Sequence, residues 1–320
     1  MSAQRDLVVV GASAGGVDAL QALVAGLPPE FPASVLMVLH VASSGTSVLP
    51  QILSRRGPLP AAFARDREPL RRGRIFVAPS DHHMLVYDDT IHLTHGPREN
   101  GHRPAIDPLF RSAARAAGNR VVGVILSGLL DDGAAGLQVV KDHGGAAVVQ
   151  DPADAIFPSM PVAALEATAP DRVVPVRDMA EALCRLIEEA IEPRVPPGPD
   201  PEREPLPDGQ PTALTCPECG GALWQADNGG TLRYVCHTGH AYSLDSLVEE
   251  QGRSLETTLW SALRALQERA DMQRRLARRA QGARKSGHER RAGEADEHAG
   301  ALRAMLGRIG RLTVSHDDEG

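Results

Sequence analysis

Along the first 190 or so residues, apolar and polar positions follow two alternating periods. Leu7-Val8-Val9-Val10 is an unbroken apolar run, the pattern of a strand buried on both faces. It leads into Gly11-Ala12-Ser13-Ala14-Gly15-Gly16, after which Val17, Leu20, Leu23 and Val24 recur at helical spacing. This stretch reads as strand, tight turn and helix. The same reasoning predicts strands at 33–40, 74–78, 120–126 and 146–150, and a hairpin over 84–93 around Asp88-Asp89. Helices are predicted at 47–55, 107–117, 133–142, 161–167 and 179–191. Such alternation implies an α/β fold with a doubly wound, mostly parallel, Rossmann-like sheet over residues 1–191.

Beyond that domain the pattern changes. Residues 192–211 are so rich in proline that neither helix nor sheet is expected, only a semi-rigid linker. A cysteine-bearing module follows at 212–243, then a helical tail at 244–320. In the tail, Leu255, Leu259, Leu263, Leu266 and Ala270 recur at intervals of three and four, as do Leu302, Met305, Leu306 and Ile309. Two helices in an antiparallel hairpin or coiled coil fit this spacing, and it raises self-association through the tail as an expectation. Arg274, Arg275, Arg278 and Arg279 read as a solvated basic face, with an anionic partner as the minority reading.

Composition narrows the class. Of 320 residues 42% are hydrophobic but only 3% aromatic, so the core is aliphatic. A net charge of −7 argues against a nucleic-acid partner. No apolar run approaches the roughly 20 residues of a membrane span. The N-terminus runs straight into a strand and leaves no room for a signal peptide, which predicts a cytoplasmic protein.

The first turn admits two readings. Gly11, Ser13 and Gly16 loosely match a dinucleotide-binding turn, with Ser13 in place of its second glycine. A serine beside a helix N-terminus is equally a place for a nucleophile. The nucleotide reading lacks an acidic residue about 20 positions on, since Glu30 comes too early. In a parallel sheet, ligands bind beyond the carboxyl ends of the strands. Ser13, His40 and the pair Asp131-Asp132 all sit at such ends. A hydroxyl, an imidazole and a carboxylate on one rim form a nucleophile–base–orienter set. The string Gly11-x-Ser13-x-Gly15 suits a nucleophile elbow, but the order Ser, His, Asp and the lack of leading strands exclude the α/β-hydrolases.

Four stretches carry a resemblance: Val10–Gly16, Leu39-His40, Asn100–Asp107 and Leu126–Ala134. In that order they resemble the catalytic domain of the chemotaxis receptor methylesterases, the CheB family, over about residues 5–190. The resemblance implies hydrolysis of glutamate γ-methyl esters on a methylated chemoreceptor, releasing methanol, with glutamine deamidation as a further activity. It assigns the catalytic serine, histidine and aspartate to Ser13, His40 and Asp132, and implies a cognate methyltransferase as a partner. Ala14 and Leu129 fall where the family's oxyanion-holding backbone lies, and Arg103 falls in its Arg-Pro motif at the substrate rim. The Arg103 alternative is a structural salt bridge. Two departures stand out: Ala14 replaces a small hydroxyl residue, and Gly128-Leu129-Leu130 replaces Gly-Met-Gly. The family's phosphorylated receiver domain has no counterpart before Ser13, so control of the phosphorelay kind is expected to come from elsewhere.

Cys216-x2-Cys219, a sixteen-residue gap, then Cys236-x3-His240 has the spacing of a zinc ribbon or knuckle. Three thiolates and one imidazole close a tetrahedral Zn2+ site that is structural, and metal would supply much of the module's folding free energy. His237 competes as a ligand but is awkwardly placed beside Cys236, and Cys184 reads as core. Similar modules ending like Gly239-His240-Ala241-Tyr242-Ser243 follow the catalytic domain in some family members. The alternative to an enzyme is a signalling adaptor that binds a partner through this module and the tail. His82, His83, His92, His95 and His143 read as surface or core residues.

Overall fold

A computed structural model describes residues 4–40, 47–192, 209–228 and 231–314. The elements run β1 (Leu7–Ala12), α1 (Gly16–Gly26), β2 (Ser34–Leu39), α2 (Leu49–Arg56), β3 (Ala61–Phe63), β4 (Glu68–Pro69) and β5 (Arg74–Val77). Next come β6 (His83–Tyr87), β7 (Thr90–Thr94), α3 (Ile106–Ala117), β8 (Val121–Ile125), α4 (Ala134–Asp142), β9 (Ala146–Gln150), α5 (Ser159–Ala167), β10 (Arg172–Val174) and α6 (Met179–Glu188). The last are β11 (Gln210–Thr215), β12 (Ala222–Asn228), β13 (Thr231–Cys236), β14 (Ala241–Tyr242), α7 (Leu244–Arg279) and α8 (Gly282–Val314).

Seven strands form one sheet in the order β10-β9-β8-β1-β2-β5-β3, and every neighbouring pair is parallel. The unbroken apolar runs follow from this, because both faces are covered. Val8, Val10, Val35 and Met37 face α1, α2 and α6, while Leu7, Val9, Leu36 and Val38 face α3, α4 and α5. The helix after β1 crosses one face and the helix after β8 crosses the other. This leaves a crevice above the carboxyl ends of these neighbouring strands.

The expected elements are present with ends moved by a few residues. Three short strands that periodicity does not reveal, β3, β4 and β10, join them. The 84–93 hairpin pairs with β4 as a second, antiparallel sheet against α3. Val17 is 38% exposed and stands outside the buried face of α1.

The chain divides into two compact units, one through Leu247 and one from Val248 onward. The segment 212–243 therefore shares a unit with the parallel sheet. Its four antiparallel strands, β11-β12-β13-β14, enclose a small core of Cys216, Leu223, Tyr234, Cys236, Tyr242 and Leu247. The expected linker at 192–211 lies almost wholly outside the described residues. At its far end Gln210 and Pro211 already pair with Gln225 and Trp224 in β11, so the strand begins inside the span expected to be linker. In the second unit α7 and α8 meet through Leu263, Ala299 and Leu306, flanked by Leu259, Leu266 and Leu302. Leu255 and Met305, expected on the same stripe, are 52% and 44% exposed. Arg274 pairs with Asp271 and Asp296. Cys184 packs partly buried against the first core layer.

A glycine sets the fit between β1 and α3. A Cβ at Gly11 would lie 2.4 Å from Ile106 Cγ2, and Ile106 is fully buried. Gly11→Ala is expected to cost about 1–3 kcal/mol of unfolding free energy; a urea midpoint unchanged from wild type would contradict this packing.

Candidate active site

The backbone ladder continues past the strand ends and draws three loops together. His40 N donates to Ala12 O at 3.2 Å, Leu126 N to Gly11 O at 3.0 Å and Ser13 N to Ser127 O at 3.0 Å. Gly15, with φ 69°, turns the chain sharply into α1 just after the serine. The start of α1 leaves N–H groups without intrahelical partners beside Ser13.

At this rim the structure brings Ser13, His40 and Asp132 together. His40 Nδ1 lies 3.1 Å from Ser13 Oγ, and His40 Nε2 lies 2.7 Å from Asp132 Oδ2. The His40 and Asp132 side chains are 5% and 2% exposed, whereas Ser13 is only partly buried. With Asp132 accepting from Nε2–H, the Nδ1 lone pair faces the hydroxyl. Asp131, the neighbour the turn alone left open, points elsewhere and accepts from Ser243 Oγ at 2.8 Å and Ser246 Oγ at 3.1 Å.

Asp132 is a buried charge with a full set of donors. Its Oδ2 also accepts from Ile106 N at 2.7 Å, and its Oδ1 accepts from Asn100 Nδ2 at 2.9 Å and Asp107 N at 3.3 Å. Ile106 and Asp107 open α3, whose N-terminal dipole favours an anion there. Burial pushes the Asp132 carboxyl up, but the hydrogen bond and charge of His40 and the Ile106 N–H outweigh it and hold the group well below the usual carboxylate range. Asp107 behaves oppositely. Burial first, then the charge of Asp132, pushes it up to about 7. Its Oδ1 accepts from Gly133 N and Gly136 N at 3.1 and 2.7 Å, pinning the turn that presents Asp132.

Three contributors were not visible in the residue pattern. His102 stacks on His40, with ring centroids 3.7 Å apart and planes at 12°. Asn100, with φ 50°, is 4% exposed and bridges Asp132 and Asp107. Ser127 donates to Ala14 O at 2.8 Å and accepts from Phe157 N at 3.0 Å, tying the serine turn to the 155–160 loop. The Asn100-Gly101-His102 stretch carries part of the family resemblance, but nothing in its spacing says which side chain reaches the imidazole.

The remaining predicted site residues take different positions. Arg103 lies at the rim, but its guanidinium is bound to Asp81 Oδ1 at 2.9 and 2.6 Å and to Gly96 O at 2.8 Å. This is the salt-bridge alternative. Ala14 follows Ser13 in the turn, and Leu129 is 45% exposed. Leu130 holds φ 61°, a left-handed conformation that glycine adopts without cost, at the position where the resembled motif has glycine. Gly128 passes so close to the serine that a Cβ there would lie 3.0 Å from Ser13 Cβ and 2.0 Å from Met160 Sδ.

Cys216, Cys219, Cys236 and His240 converge in the small sheet, all four ligand atoms within 4.8 Å of one another. Cys219 Sγ and Cys236 Sγ are 3.7 Å apart, and His240 Nδ1 is 3.7 Å from Cys216 Sγ and 3.5 Å from Cys236 Sγ. A tetrahedral ion with Zn–S near 2.3 Å requires edges of roughly 3.5–3.8 Å between its ligands, so the donor set fits a metal ion of that size. The other ring nitrogen of His240 faces Glu218 at 3.6 Å, the outer partner a metal-bound imidazole uses. His237 is not in the cluster.

A family model described as CheB methylesterase matches residues 8–183, stopping short of the cysteine-bearing sheet. A protein of Anaeromyxobacter dehalogenans named protein-glutamate methylesterase/protein-glutamine glutaminase 2 is 43% identical over 185 residues, 58% of this chain and 54% of that one. The chain thus spans about half the length of that relative. A Leptospira interrogans protein that carries a provisional form of the same name is 36% identical over 190 residues, 59% of this chain and 98% of that one. The crystal structure of the Thermotoga maritima CheB methylesterase catalytic domain superposes with a TM-score of 0.55 at 29% identity, covering 58% of this chain and all of that one.

A carboxylate held below its unfolded value contributes stability that is present above that value and lost as pH falls through the folded one. The stability advantage of wild type over Asp132→Asn is therefore expected to shrink as pH drops below about 4. Parallel pH profiles of unfolding free energy for the two proteins would show that Asp132 is not held as an anion.

Proposed function

The chain belongs to the CheB methylesterase family, and from that footing we propose that it is a serine hydrolase cleaving glutamate γ-methyl esters on chemoreceptors to glutamate and methanol. The observation that carries the reading is the hydroxyl–imidazole–carboxylate line, 3.1 Å and 2.7 Å between partners, at the crevice of a parallel sheet.

In this reading Ser13 Oγ attacks the ester carbonyl while His40 Nδ1 takes its proton. The oxyanion meets backbone N–H groups at the head of α1 and in the Leu129 loop. Collapse breaks the C–OCH3 bond, and the methoxy oxygen takes the proton from His40 and leaves as methanol. Water then adds to the acyl-serine, again giving one proton to His40, and Ser13 leaves with that proton as the γ-carboxylic acid is released and gives its remaining proton to solvent. Asp132 stays ionised throughout, fixes the Nε2–H tautomer and stabilises the imidazolium. His40 presents Nδ1 rather than Nε2 to the serine; the chemistry needs only one ring nitrogen toward each partner.

The same steps on a glutamine side chain release ammonia, the second activity in the relatives' names. A methyl ester implies a methyltransferase that makes it, and we place the work in the cytoplasm. Among the described residues no helix is long and apolar enough to cross a membrane. Arg103, bound to Asp81 and Gly96, braces the 95–103 loop rather than reaching for an acidic partner. The Cys216, Cys219, Cys236 and His240 cluster takes Zn2+ as a structural ion, with thiolate and imidazole donors that suit it. Apolar side chains exposed on α7, including Leu255, Met272 and Leu276, favour self-association of the tail.

Ser13→Ala is expected to lower methanol release from methylated receptor peptides by about a millionfold with an unchanged circular dichroism spectrum. Mass spectrometry of the peptides reads both the ester and the amide reaction, and turnover equal to wild type would reject the assignment.

A further inference from the structure

The cysteine-bearing sheet reaches the buried carboxylate through one side chain. His240 is followed at once by β14, where Ala241 bridges Glu99. Asn100 N donates to Ala241 O at 2.8 Å, and Ala241 N to Arg98 O at 3.3 Å. The next contact is the decisive one. Ser243 N donates to Asn100 Oδ1 at 2.9 Å, while Asn100 Nδ2 donates to Asp132 Oδ1 at 2.9 Å. The carboxamide can satisfy both only in one orientation, because its oxygen accepts and its nitrogen donates.

Other bonds fasten the same seam. Ser243 Oγ and Ser246 Oγ donate to Asp131, the residue beside Asp132. Arg233 of β13 and Arg111 of α3 both bind Glu99, next to Asn100. Tyr242 is 1% exposed, with its hydroxyl 3.6 Å from Cys216 Sγ. The core of the small sheet is one cluster of six buried side chains, of which Cys216 and Cys236 are themselves members of the Cys/His group and Leu247 is lent by α7, so its strand positions depend on what joins Cys216 and Cys219 to Cys236 and His240.

We propose that the metal-loaded Cys/His cluster is a positioning element of the esterase site, acting through Ser243 and the Asn100 carboxamide on Asp132 and thereby on His40. This rests on the hydrolase and zinc reading above. Asn100 is a positioning residue, and loss of the ion loosens β14, frees the carboxamide and leaves Asp132 Oδ1 without its side-chain donor. A consequence is that reagents which strip the metal or oxidise its thiolates turn down an ester hydrolase whose own chemistry uses neither.

The test uses the full chain with zinc content measured by atomic emission. Zinc is removed with a chelator under reducing conditions and restored with zinc chloride. Stripping is expected to lower kcat on p-nitrophenyl acetate about tenfold, with KM within about twofold, reversibly. Asn100→Ala is expected to show the same loss with zinc bound and to lose less than about twofold more on stripping. Cys219→Ser supplies a second route: its kcat should rise with added zinc along the same curve as its zinc occupancy. Independently of turnover, the low-field proton resonance of His40 Nε2–H, assigned by its loss in Asp132→Ala, should weaken or shift upfield in stripped wild type and in zinc-bound Asn100→Ala. Stripped protein with full kcat and an unchanged resonance would overturn the proposal, as would additive losses from stripping and Asn100→Ala. If zinc-loaded wild type and Ser13→Ala turn over alike, the hydrolase reading fails, and the resonance alone decides the coupling. A chain that binds no zinc ends the metal reading and this one together.

Discussion

One buried negative charge sets the terms for everything around it. Asp132 is 2% exposed and remains ionised, a state that costs several kcal/mol unless the charge is matched by donors. The donors come from widely separated stretches: His40 after β2, Asn100 in the loop before α3, and the first two N–H groups of α3. None of these works unless the loop after β8 delivers the carboxylate to the N-terminal end of α3. Asp107 secures that delivery by accepting from Gly133 and Gly136. The imidazole is oriented as a by-product of solving the carboxylate's problem.

The sheet makes the solution possible. Because β1, β2 and β8 are parallel neighbours, their carboxyl ends emerge side by side, and the crossovers that follow β1 and β8 go to opposite faces. Close backbone approaches mark the walls of the space this opens. Gly11 lets β1 lie against Ile106, and Gly128 lets the loop after β8 pass beside Ser13 and Met160. His102 stacks on the imidazole. The hydroxyl of Ser13 stays partly open.

The Cys/His sheet shows a different way of making structure. Its buried cluster is six side chains, and three thiols and an imidazole converge beside it within 4.8 Å, a group that could hold a metal ion. Its edge is used as well. The β14 segment pairs with residues 98–100 and caps Asp131, so the sheet completes the hydrogen-bonding of a loop belonging to the larger domain. Two chemistries that look separate along the chain share one short stretch of backbone.

The fold class was legible because its cause is local. A strand covered on both faces must be apolar throughout, and a helix covered on one face must repeat at three and four residues, so the α/β alternation is written in the residue order. Strands of two or three residues, such as β3, β4 and β10, carry too little pattern to be read, and Leu255 and Val17 show that a stripe can extend past the face that is actually covered. Ser13, His40 and Asp131-Asp132 were marked by their places at strand ends, since ligand sites gather there. The strand-end pattern left both aspartates open and the family resemblance pointed to Asp132; the physical reason it turns inward is tertiary, because both sit in one turn and the donors that select Asp132 come from α3 and Asn100. The contacts of His102, Asn100 and Ser243 likewise arise only in three dimensions: a hydrogen bond between residues 143 positions apart depends on where two sheets meet, and no periodicity along the chain records that.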